Sequence, residues 1–234
     1  MYRSKLYRSQ VEEISKKTLD LCSISDAIEI LKNISHVKFD ETLELSMKLS
    51  IDMKRTDQIP RGSVVLPNGT GKKQTILVVV PNDKLSSIRD SIEVDYVGSE
   101  EIIDKIKKGW VDFDIFITTP EIMPKIRTLG KLLGPKGLMP SIKSGTLTED
   151  VVTSVNDIKK GTVEIKLDKC GNVHFAAGKI FFDNEKLIEN CEYIIKEVIR
   201  LKPKKVKGDY IRSCYISTTM SPSIMIKLNK VVRN

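Results

Sequence analysis

Residues 41–53 read ETLELSMKLSIDM, and polar and apolar side chains alternate along them. Successive side chains of a β-strand point to opposite faces, so this alternation predicts a strand with one buried face and one face in water. The apolar members of the stretch are Leu43, Leu45, Met47, Leu49, Ile51 and Met53. The strand is therefore expected in a sheet that is covered on one side.

Helix and strand patterns at the two chain ends extend this layer. Residues 25–35, SDAIEILKNIS, predict a short helix with Ser25 as its N-cap. Residues 183–202 carry an apolar stripe at helical spacing that includes Cys191, which we interpret as a core residue. Two further stretches predict strands, GDYIRSCYISTTM at 208–220 and PSIMIKLNKVV at 222–232. Both chain ends therefore predict helices packed on a sheet.

The middle of the chain follows a different pattern. TILVVV at 75–80 is a short apolar run, typical of a strand covered on both faces, and helix and strand patterns alternate after it. Such alternation predicts a parallel, doubly wound sheet, and turn-forming residues bracket the segment. We therefore predict an α/β fold of two domains. A split α+β sandwich spans residues 1–67 plus 160–234, and an inserted Rossmann-like three-layer α/β domain spans residues 68–159.

The net charge of +8 is concentrated near the carboxyl end. Lysine and arginine outnumber aspartate and glutamate by 15 to 8 over residues 160–234, and by 11 to 10 over residues 1–67. Over residues 68–159 the two classes balance at 13 each. A local basic excess favours a polyanionic partner, although lysine that only aids solubility gives the same count. Charge alone leaves both interpretations open.

Composition excludes several classes of protein. With 40% hydrophobic and 30% charged residues, the chain is typical of soluble globular proteins. No apolar run reaches the ~20 residues that a membrane helix needs, and the amino terminus lacks the apolar stretch of a secretory signal. The cysteines are far apart and include no C-x-x-C pair, so neither a disulfide framework nor a metal site is expected. We expect a cytoplasmic protein without a cofactor.

Two glycine-rich stretches invite a phosphate-loop interpretation, and both fail its requirements. That loop needs G-x-x-x-x-G-K followed by serine or threonine. Around NGTGKKQT, Leu66 stands in place of the first glycine and Lys73 in place of the hydroxyl residue. In TLGKLLGPKGLMP, residues 128–140, Pro135 stands where the second glycine belongs. This second stretch instead predicts a helix that ends at Gly134, followed by a tight basic loop.

Cations surround that loop. Residues 122–148 contain no aspartate or glutamate, and their cations are Lys125, Arg127, Lys131, Lys136 and Lys143. Cations beside glycines, which allow close approach of the backbone, suit contact with nucleic-acid phosphates. Candidate catalytic groups are scarce by comparison. His36 and His174 are the only histidines, and spacing supports no Ser-His-Asp set, carboxylate pair or metal cluster.

Two stretches near the carboxyl end leave alternatives open. STTMSPS at 217–223 combines hydroxyls with a methionine, and such a surface suits RNA, whose shape and 2′-hydroxyls proteins recognise. A simple turn is the alternative. KPKKVK at 202–207 is either a solvated helix end or a phosphate clamp.

TLGKLLGPKGLMP resembles the signature of a ribosomal-protein family, the one that stands first in the large-subunit numbering and carries the mobile side stalk beside the tRNA exit site. Three other blocks resemble the family in the same order: residues 36–72, residues 158–180 and YISTTMSPS at 215–223. The resemblance implies a non-enzymatic protein that is a monomer within the ribosome and binds large-subunit rRNA. It also implies that the protein assists release of deacylated tRNA and represses translation of its own operon mRNA.

The resemblance further implies the RNA-binding residues, because the family's main RNA site lies on the split domain. Matched by motif, they are Glu29, Lys38, Phe39, Thr42, Lys169, His174, Ser213, Thr219, Met220 and Ser221. In this set an aromatic ring offers an apolar face, hydroxyls contact ribose or phosphate, and lysines neutralise backbone charge. The five cations of residues 122–148 are expected to form a secondary surface towards RNA or tRNA.

Two positions depart from the family pattern. Ser221 replaces the usual glycine after Thr-Met, and it is expected to be tolerated less well if that position needs a positive φ or a close backbone approach. Pro124 lies where the family's helix is under way, and it is expected to delay the start of that helix. The alternative function is an α/β enzyme or sensor that binds a nucleotide between two domains. The missing phosphate-loop, dinucleotide and acid–base motifs count against it.

Overall fold

The alternating stretch forms an inner strand of a four-stranded antiparallel sheet. In a computed structural model of the chain, strand Thr42–Leu49 lies between strands Asn172–Lys179 and Ile211–Thr218. Its inward side chains Leu43, Leu45, Met47 and Leu49 are buried, which confirms the predicted covered face. The strand ends at Leu49, so the half-buried Ile51 is not part of it, and Met53 lies outside the described residues. The structure describes residues 4–17, 22–51, 60, 62–91, 94–142, 144–203, 206 and 208–227.

The helices and strands are numbered in chain order. They are α1 (Lys5–Lys17), α2 (Ile24–Ile34), β1 (Thr42–Leu49), β2 (Gly62–Val65), β3 (Ile76–Val79), α3 (Asn82–Ser91), β4 (Tyr96–Gly98), α4 (Glu100–Lys107), β5 (Ile115–Thr118), α5 (Met123–Ile126), α6 (Gly130–Leu133), α7 (Val151–Gly161), β6 (Thr162–Ile165), β7 (Asn172–Lys179), α8 (Asn184–Arg200), β8 (Ile211–Thr218) and β9 (Ile224–Met225). A 3-10 turn at Arg127–Leu129 joins α5 to α6. None of the helices in these ranges is long and apolar enough to span a lipid bilayer.

The chain forms two compact units, and the first comprises Met1–Lys72 with Gly161–Asn234. Its main sheet has the order β7–β1–β8–β9, and β2 pairs separately with β6. Helices α2 and α8 pack on one face of the main sheet, where their buried side chains share a single core with the inward side chains of the strands. Side chains on the opposite face are exposed or half-buried. We call this opposite side the open face.

The second unit, Lys73–Lys160, contains the parallel sheet β4–β3–β5. Leu77 and Phe116 pack with α4, α5 and α6 on one side of this sheet. Val78 and Ile117 pack with α3 and α7 on the other side. Helices on both faces of a parallel sheet form a three-layer α/β structure. The predicted α/β fold is therefore confirmed.

The first unit extends to Lys72, whereas the sequence placed the boundary after residue 67. Residues 68–71 belong to the first unit, and Asn68 and Gly69 attach this segment to α8 by hydrogen bonds. The backbone N–H of Asn68 donates to Asn190 Oδ1 at 3.1 Å, and Asn190 Nδ2 donates to the carbonyl of Gly69 at 3.0 Å. The second boundary lies after Lys160, one residue later than predicted.

Asn190 is a fully buried amide that joins three segments. Besides its bonds to residues 68 and 69, its Nδ2 donates to the carbonyl of Ala177 on β7 at 2.7 Å. The returning chain crosses the same segment closely, since a Cβ at Gly161 would lie 2.7 Å from Gly69 Cα. Gly161 also has a φ of +103°, so its conformation and its surroundings both require glycine.

Two local expectations need correction. Ser23, and not Ser25, caps α2, because its side chain accepts the N–H of Asp26. The last predicted strand, 222–232, is the two-residue strand β9, and residues 228–232 lie outside the described part of the chain. Cys191 is buried as predicted, and burial raises the pKa of its thiol to about 12.

We expect Asn190→Ala to lower the free energy of unfolding by at least about 2 kcal/mol, because the buried carbonyl of Ala177, the half-buried carbonyl of Gly69 and the N–H of Asn68 lose their partner. Urea denaturation followed by far-UV circular dichroism measures this change. Glu192→Ala on the same helix is the control, since it removes only an exposed ion pair with Lys196 and should cost less than about 0.5 kcal/mol. Equal losses for the two variants would contradict the assigned role of Asn190.

Candidate nucleic-acid interface

A buried glutamate organises one end of the open face. Glu41 is 1% exposed and immediately precedes β1. Its Oε2 accepts the hydroxyls of Ser35 at 2.7 Å and Thr218 at 3.2 Å, and its Oε1 accepts the backbone N–H of Met220 at 3.0 Å. One carboxyl group therefore joins the end of α2, the start of β1 and the turn after β8, and we call the place where these three segments meet the junction. Buried polar groups need such partners, and here every bond also fixes a neighbouring segment.

Bonds around the start of β1 strengthen the same junction. The backbone N–H of Thr42 donates to Thr219 Oγ1 at 3.1 Å. Lys179 Nζ donates to the carbonyl of Asp40 at 3.1 Å and to Thr42 Oγ1 at 3.0 Å. Two predicted site residues, Thr42 and Thr219, are thus in direct contact.

Two large apolar side chains project into solvent beside this junction. Phe39 is 51% exposed and lies two residues before Glu41, and Met220 is 52% exposed and is held through its own N–H. Lys38 is exposed next to them. The structure therefore brings Lys38, Phe39, Thr42, Thr219 and Met220 to one end of the sheet.

Ser221 has an ordinary backbone conformation, so the positive φ that would have made a serine unfavourable at this position is not needed. Among the described residues, only glycines have a positive φ. Ser221 Oγ accepts the N–H of Thr218 at 2.9 Å and donates to the carbonyl of Pro222 at 3.0 Å. The serine hydroxyl therefore closes the turn that presents Met220.

The hairpin between β6 and β7 lies at the other end of the open face and is ordered by Asp168. Its carboxylate accepts the N–H of Asn172 at 2.7 Å, the side-chain amide of Asn172 at 2.7 Å and the N–H of Cys170 at 2.8 Å. These bonds, led by the N–H of Asn172, lower the pKa of Asp168 to about 2. Lys48 donates to the carbonyl of Cys170. Lys169 is exposed at the tip of this hairpin.

His174 lies between Ser46 and Asp168, although spacing in the sequence predicted no Ser-His-Asp set. Ser46 Oγ is 3.0 Å from His174 Nδ1, and Asp168 Oδ2 is 3.8 Å from His174 Nε2. The second distance exceeds that of a hydrogen bond, and Asp168 is already bonded within the hairpin turn. We interpret the set as part of the sheet surface and not as a nucleophile with its base.

The remaining predicted residues are dispersed. Ser213 lies on β8 opposite Lys48. Glu29 is exposed on α2, the helix that packs on the covered face, so it is not part of the open face. All four cysteines are free, and the ranges that the structure describes contain no cluster of His, Cys, Asp or Glu able to hold a metal ion.

The sequence model of the Ribosomal protein L1p/L10e family matches residues 31–222. The chain belongs to this family. It is 46% identical over 236 residues to large ribosomal subunit protein uL1 of Persephonella marina, covering 99% of this chain and 96% of the relative. Proteins of the same name from Chlorobium phaeobacteroides (45% identical, 88% of this chain, 90% of the relative) and Thermobifida fusca (43%, 98% and 96%) are also similar.

Membership in the L1p/L10e family makes the chain a ribosomal protein of the large subunit. It confirms the predicted resemblance and rejects the alternative of an α/β enzyme, because this is a family of structural ribosomal proteins. A ribosome-bound location follows from the same membership.

The basic segment of this L1p/L10e chain lies in the second unit. Lys125, Arg127, Lys131 and Lys136 are exposed, and Lys143 lies outside the described residues. Pro124 does not delay α5, which begins at Met123, because proline fits the first turn of a helix.

Helix α6 ends at Leu133 with Gly134 as its C-cap, which confirms the predicted end of the helix. The positive φ lies three residues later, at Gly137, and the N–H of Leu138 donates to the carbonyl of Leu133 at 3.1 Å. The basic loop is thus fixed by backbone bonds.

Sequence reasoning missed Glu41, although a signal was present. In the alternating stretch, position 41 has the same parity as the buried Leu43 and Leu45, so its side chain points inward. A carboxyl group at an inward position needs buried donors. Lys179 was missed as well, because no local pattern connects it to the start of β1.

Glu41→Ala should weaken the turn at residues 219–221, because two hydroxyls and the N–H of Met220 lose their acceptor. We expect the free energy of unfolding to fall by about 2–4 kcal/mol and amide hydrogen exchange at Met220 to accelerate. Glu41→Gln, which keeps one carbonyl oxygen for that N–H, should lie between Ala and the wild type. The control is Glu44→Ala on the same strand, where the side chain is exposed. Unchanged exchange at Met220 in Glu41→Ala would refute the assigned role.

Proposed function

We propose that the chain binds large-subunit rRNA directly through the end of the open face, where Glu41 holds residues 219–221 beside the start of β1. The observation that carries this proposal is the pair of exposed apolar side chains, Phe39 and Met220, at a rigid and hydrogen-bonded junction. A large apolar side chain held in water at low conformational freedom is suited to pack against a ribose or an unstacked base.

The chemistry around this pair favours RNA. Hydroxyls of Thr42 and Thr219 lie beside the apolar side chains, and exposed Lys38 and Lys169 lie at opposite ends of the same face. Hydroxyls suit ribose and phosphate oxygens, and lysines neutralise the backbone. The net charge of residues 160–234, 15 cations against 8 acids, supports the same partner.

We further propose that the protein works in the mobile side stalk near the tRNA exit site and assists the release of deacylated tRNA. Family membership and the exposed cations of the second unit support this role. Lys125, Arg127, Lys131 and Lys136 are exposed in a stretch, residues 122–148, whose sequence contains no aspartate or glutamate, and exposed cations suit phosphate contacts.

Repression of the chain's own operon mRNA is proposed on a single argument. An mRNA that folds like the rRNA site would occupy the same junction, so rRNA and mRNA would compete for one surface. Excess rRNA would then relieve repression.

Phe39→Ala and Met220→Ala should each weaken binding to a transcript of the side-stalk region of large-subunit rRNA by about 5- to 100-fold, because each removes an apolar contact. Fluorescence anisotropy of the labelled transcript measures affinity, and urea midpoints confirm folding. Leu6→Ala, another exposed apolar residue of the first unit, is the control and should bind like the wild type. Wild-type affinity in both site variants would exclude this junction as the RNA site.

Charge removal in the two units should have different effects on binding of the same isolated transcript. Lys38→Gln with Lys169→Gln should reduce the slope of log affinity against log salt by roughly 1.4–1.8, since each phosphate contact contributes about 0.7–0.9. Lys131→Gln with Lys136→Gln removes equal charge from the second unit and should leave the slope nearly unchanged. Equal effects of the two pairs would instead place the basic loop in the primary site.

A further inference from the structure

Most of the predicted RNA-binding residues on the open face lie at its two ends, and at its centre His174 is the one member of the predicted set. Thr42, Thr219 and Met220 lie at one end, and Lys169 and Ser213 lie at the other. Thr42 and Lys48 are six residues apart on β1, which corresponds to on the order of 20 Å. An RNA that touches both ends must therefore pass over the middle of the open face.

The centre of the face is a single row of side chains across all four strands. Ser46 on β1 pairs with His174 on β7 and with Tyr215 on β8, and Tyr215 pairs with Met225 on β9. Adjacent strands are about 4.8 Å apart, so the row is continuous from edge to edge of the sheet. We call these four residues the central row.

Half of the central row is apolar and exposed. Tyr215 is 36% exposed and its cross-strand partner Met225 is 41% exposed. An aromatic ring next to a polarizable thioether forms a flat surface that can pack against the face of a base. Ser46 and His174 supply polar atoms on the other half, 3.0 Å from each other.

We propose that Tyr215 and Met225 form a platform on which the bound RNA places the base or ribose of an unpaired nucleotide. This inference deepens the proposed function and rests on it. Aromatic side chains on open sheets bind RNA in this way because every base has a π-face.

The charges of the face indicate which part of the RNA lies over the platform. Lys48 and Arg212 lie towards the hairpin end, and Lys179 lies at the Thr42 end. Glu44, the only carboxylate among the outward side chains of β1, β7, β8 and β9, lies next to the central row. Phosphates are therefore favoured at the two ends and disfavoured at the centre, where the uncharged sugar and base are the better fit.

RNA fits this face better than an apolar protein segment does. Serine hydroxyls at 46, 213 and 217 surround the platform and would lose water without partners beneath an apolar surface. Ribose and base edges supply both donors and acceptors to such hydroxyls. The platform is also continuous through β1 with the junction that the proposed function assigns to rRNA.

The test uses the full chain and the side-stalk rRNA transcript, with affinity measured over a salt series. Tyr215→Ala should weaken binding by roughly 5- to 100-fold, Met225→Ala should weaken it less, and Tyr215→Phe should stay within about 3-fold of the wild type. The salt slope should not change in any of them, because no phosphate contact is lost. Tyr215→Thr retains a good strand-forming residue and should weaken binding as Ala does, with a urea midpoint near that of the wild type.

Tyr193→Ala is the matched control, since Tyr193 is 38% exposed but lies on α8, which covers the opposite face. Tyr215→Trp in a Trp110→Phe background adds a direct reporter whose fluorescence should fall when the transcript binds. The platform proposal would be overturned if Tyr215→Ala bound with wild-type affinity, or if the fluorescence of Tyr215→Trp did not change when RNA bound. Either result would leave the proposed rRNA binding intact. Failure of the wild-type chain to bind the transcript would overturn the proposed function itself.

Discussion

The proposed interface depends on one interaction, the contact of the Glu41 carboxyl group with Ser35, Thr218 and Met220. Removing a carboxyl group from water is unfavourable unless donors replace the lost hydration. In this chain the donors come from the end of α2 and from the turn after β8. The same bonds that satisfy Glu41 therefore fix the turn in which Met220 is exposed. A surface that is already ordered loses little conformational entropy when a partner binds.

The second constraint is the asymmetry of the sheet. Helices α2 and α8 cover one face and contribute to a single apolar core, so the other face is available for binding. Its outward residues are mostly short and polar, with two exposed apolar side chains in the centre and cations near both ends. Polar side chains alone are normal on a sheet face that contacts solvent, and they do not indicate a binding partner. The combination of exposed apolar side chains, hydroxyls and cations is what favours a ribonucleotide partner.

Patterns of short range were sufficient to predict much of this fold. Alternation in residues 41–53 identified β1 and its buried face, and the apolar run at 75–80 identified a strand covered on both sides. The interface was harder to predict from the sequence, because its contacts join residues that are far apart along the chain. Glu41 and Met220 are bonded across a separation of 179 residues, and Ser46 and His174 are in contact across a separation of 128 residues. The sequence predicted residues 68–71 as a turn at the start of the inserted domain, whereas the bonds of Asn68 and Gly69 to α8 attach this segment to the first unit.

Ser221 shows the same limit at a single residue. Comparison with a family pattern marks it as a departure, whereas its geometry makes it a hydrogen-bonded part of the turn. A serine whose hydroxyl accepts a backbone N–H within the turn can replace a glycine when the φ of that residue is negative. The consequence of a substitution thus depends on local conformation, which the sequence alone does not reveal.

The most direct test of the account is to map the bound surface by NMR, with the isotope-labelled full chain and the unlabelled side-stalk rRNA transcript. The account predicts that the largest changes in amide chemical shift fall on residues 38–46 and 213–221 of the first unit, with small changes in the second unit. Changes confined to the second unit, or to the outer surfaces of α2 and α8, would contradict it.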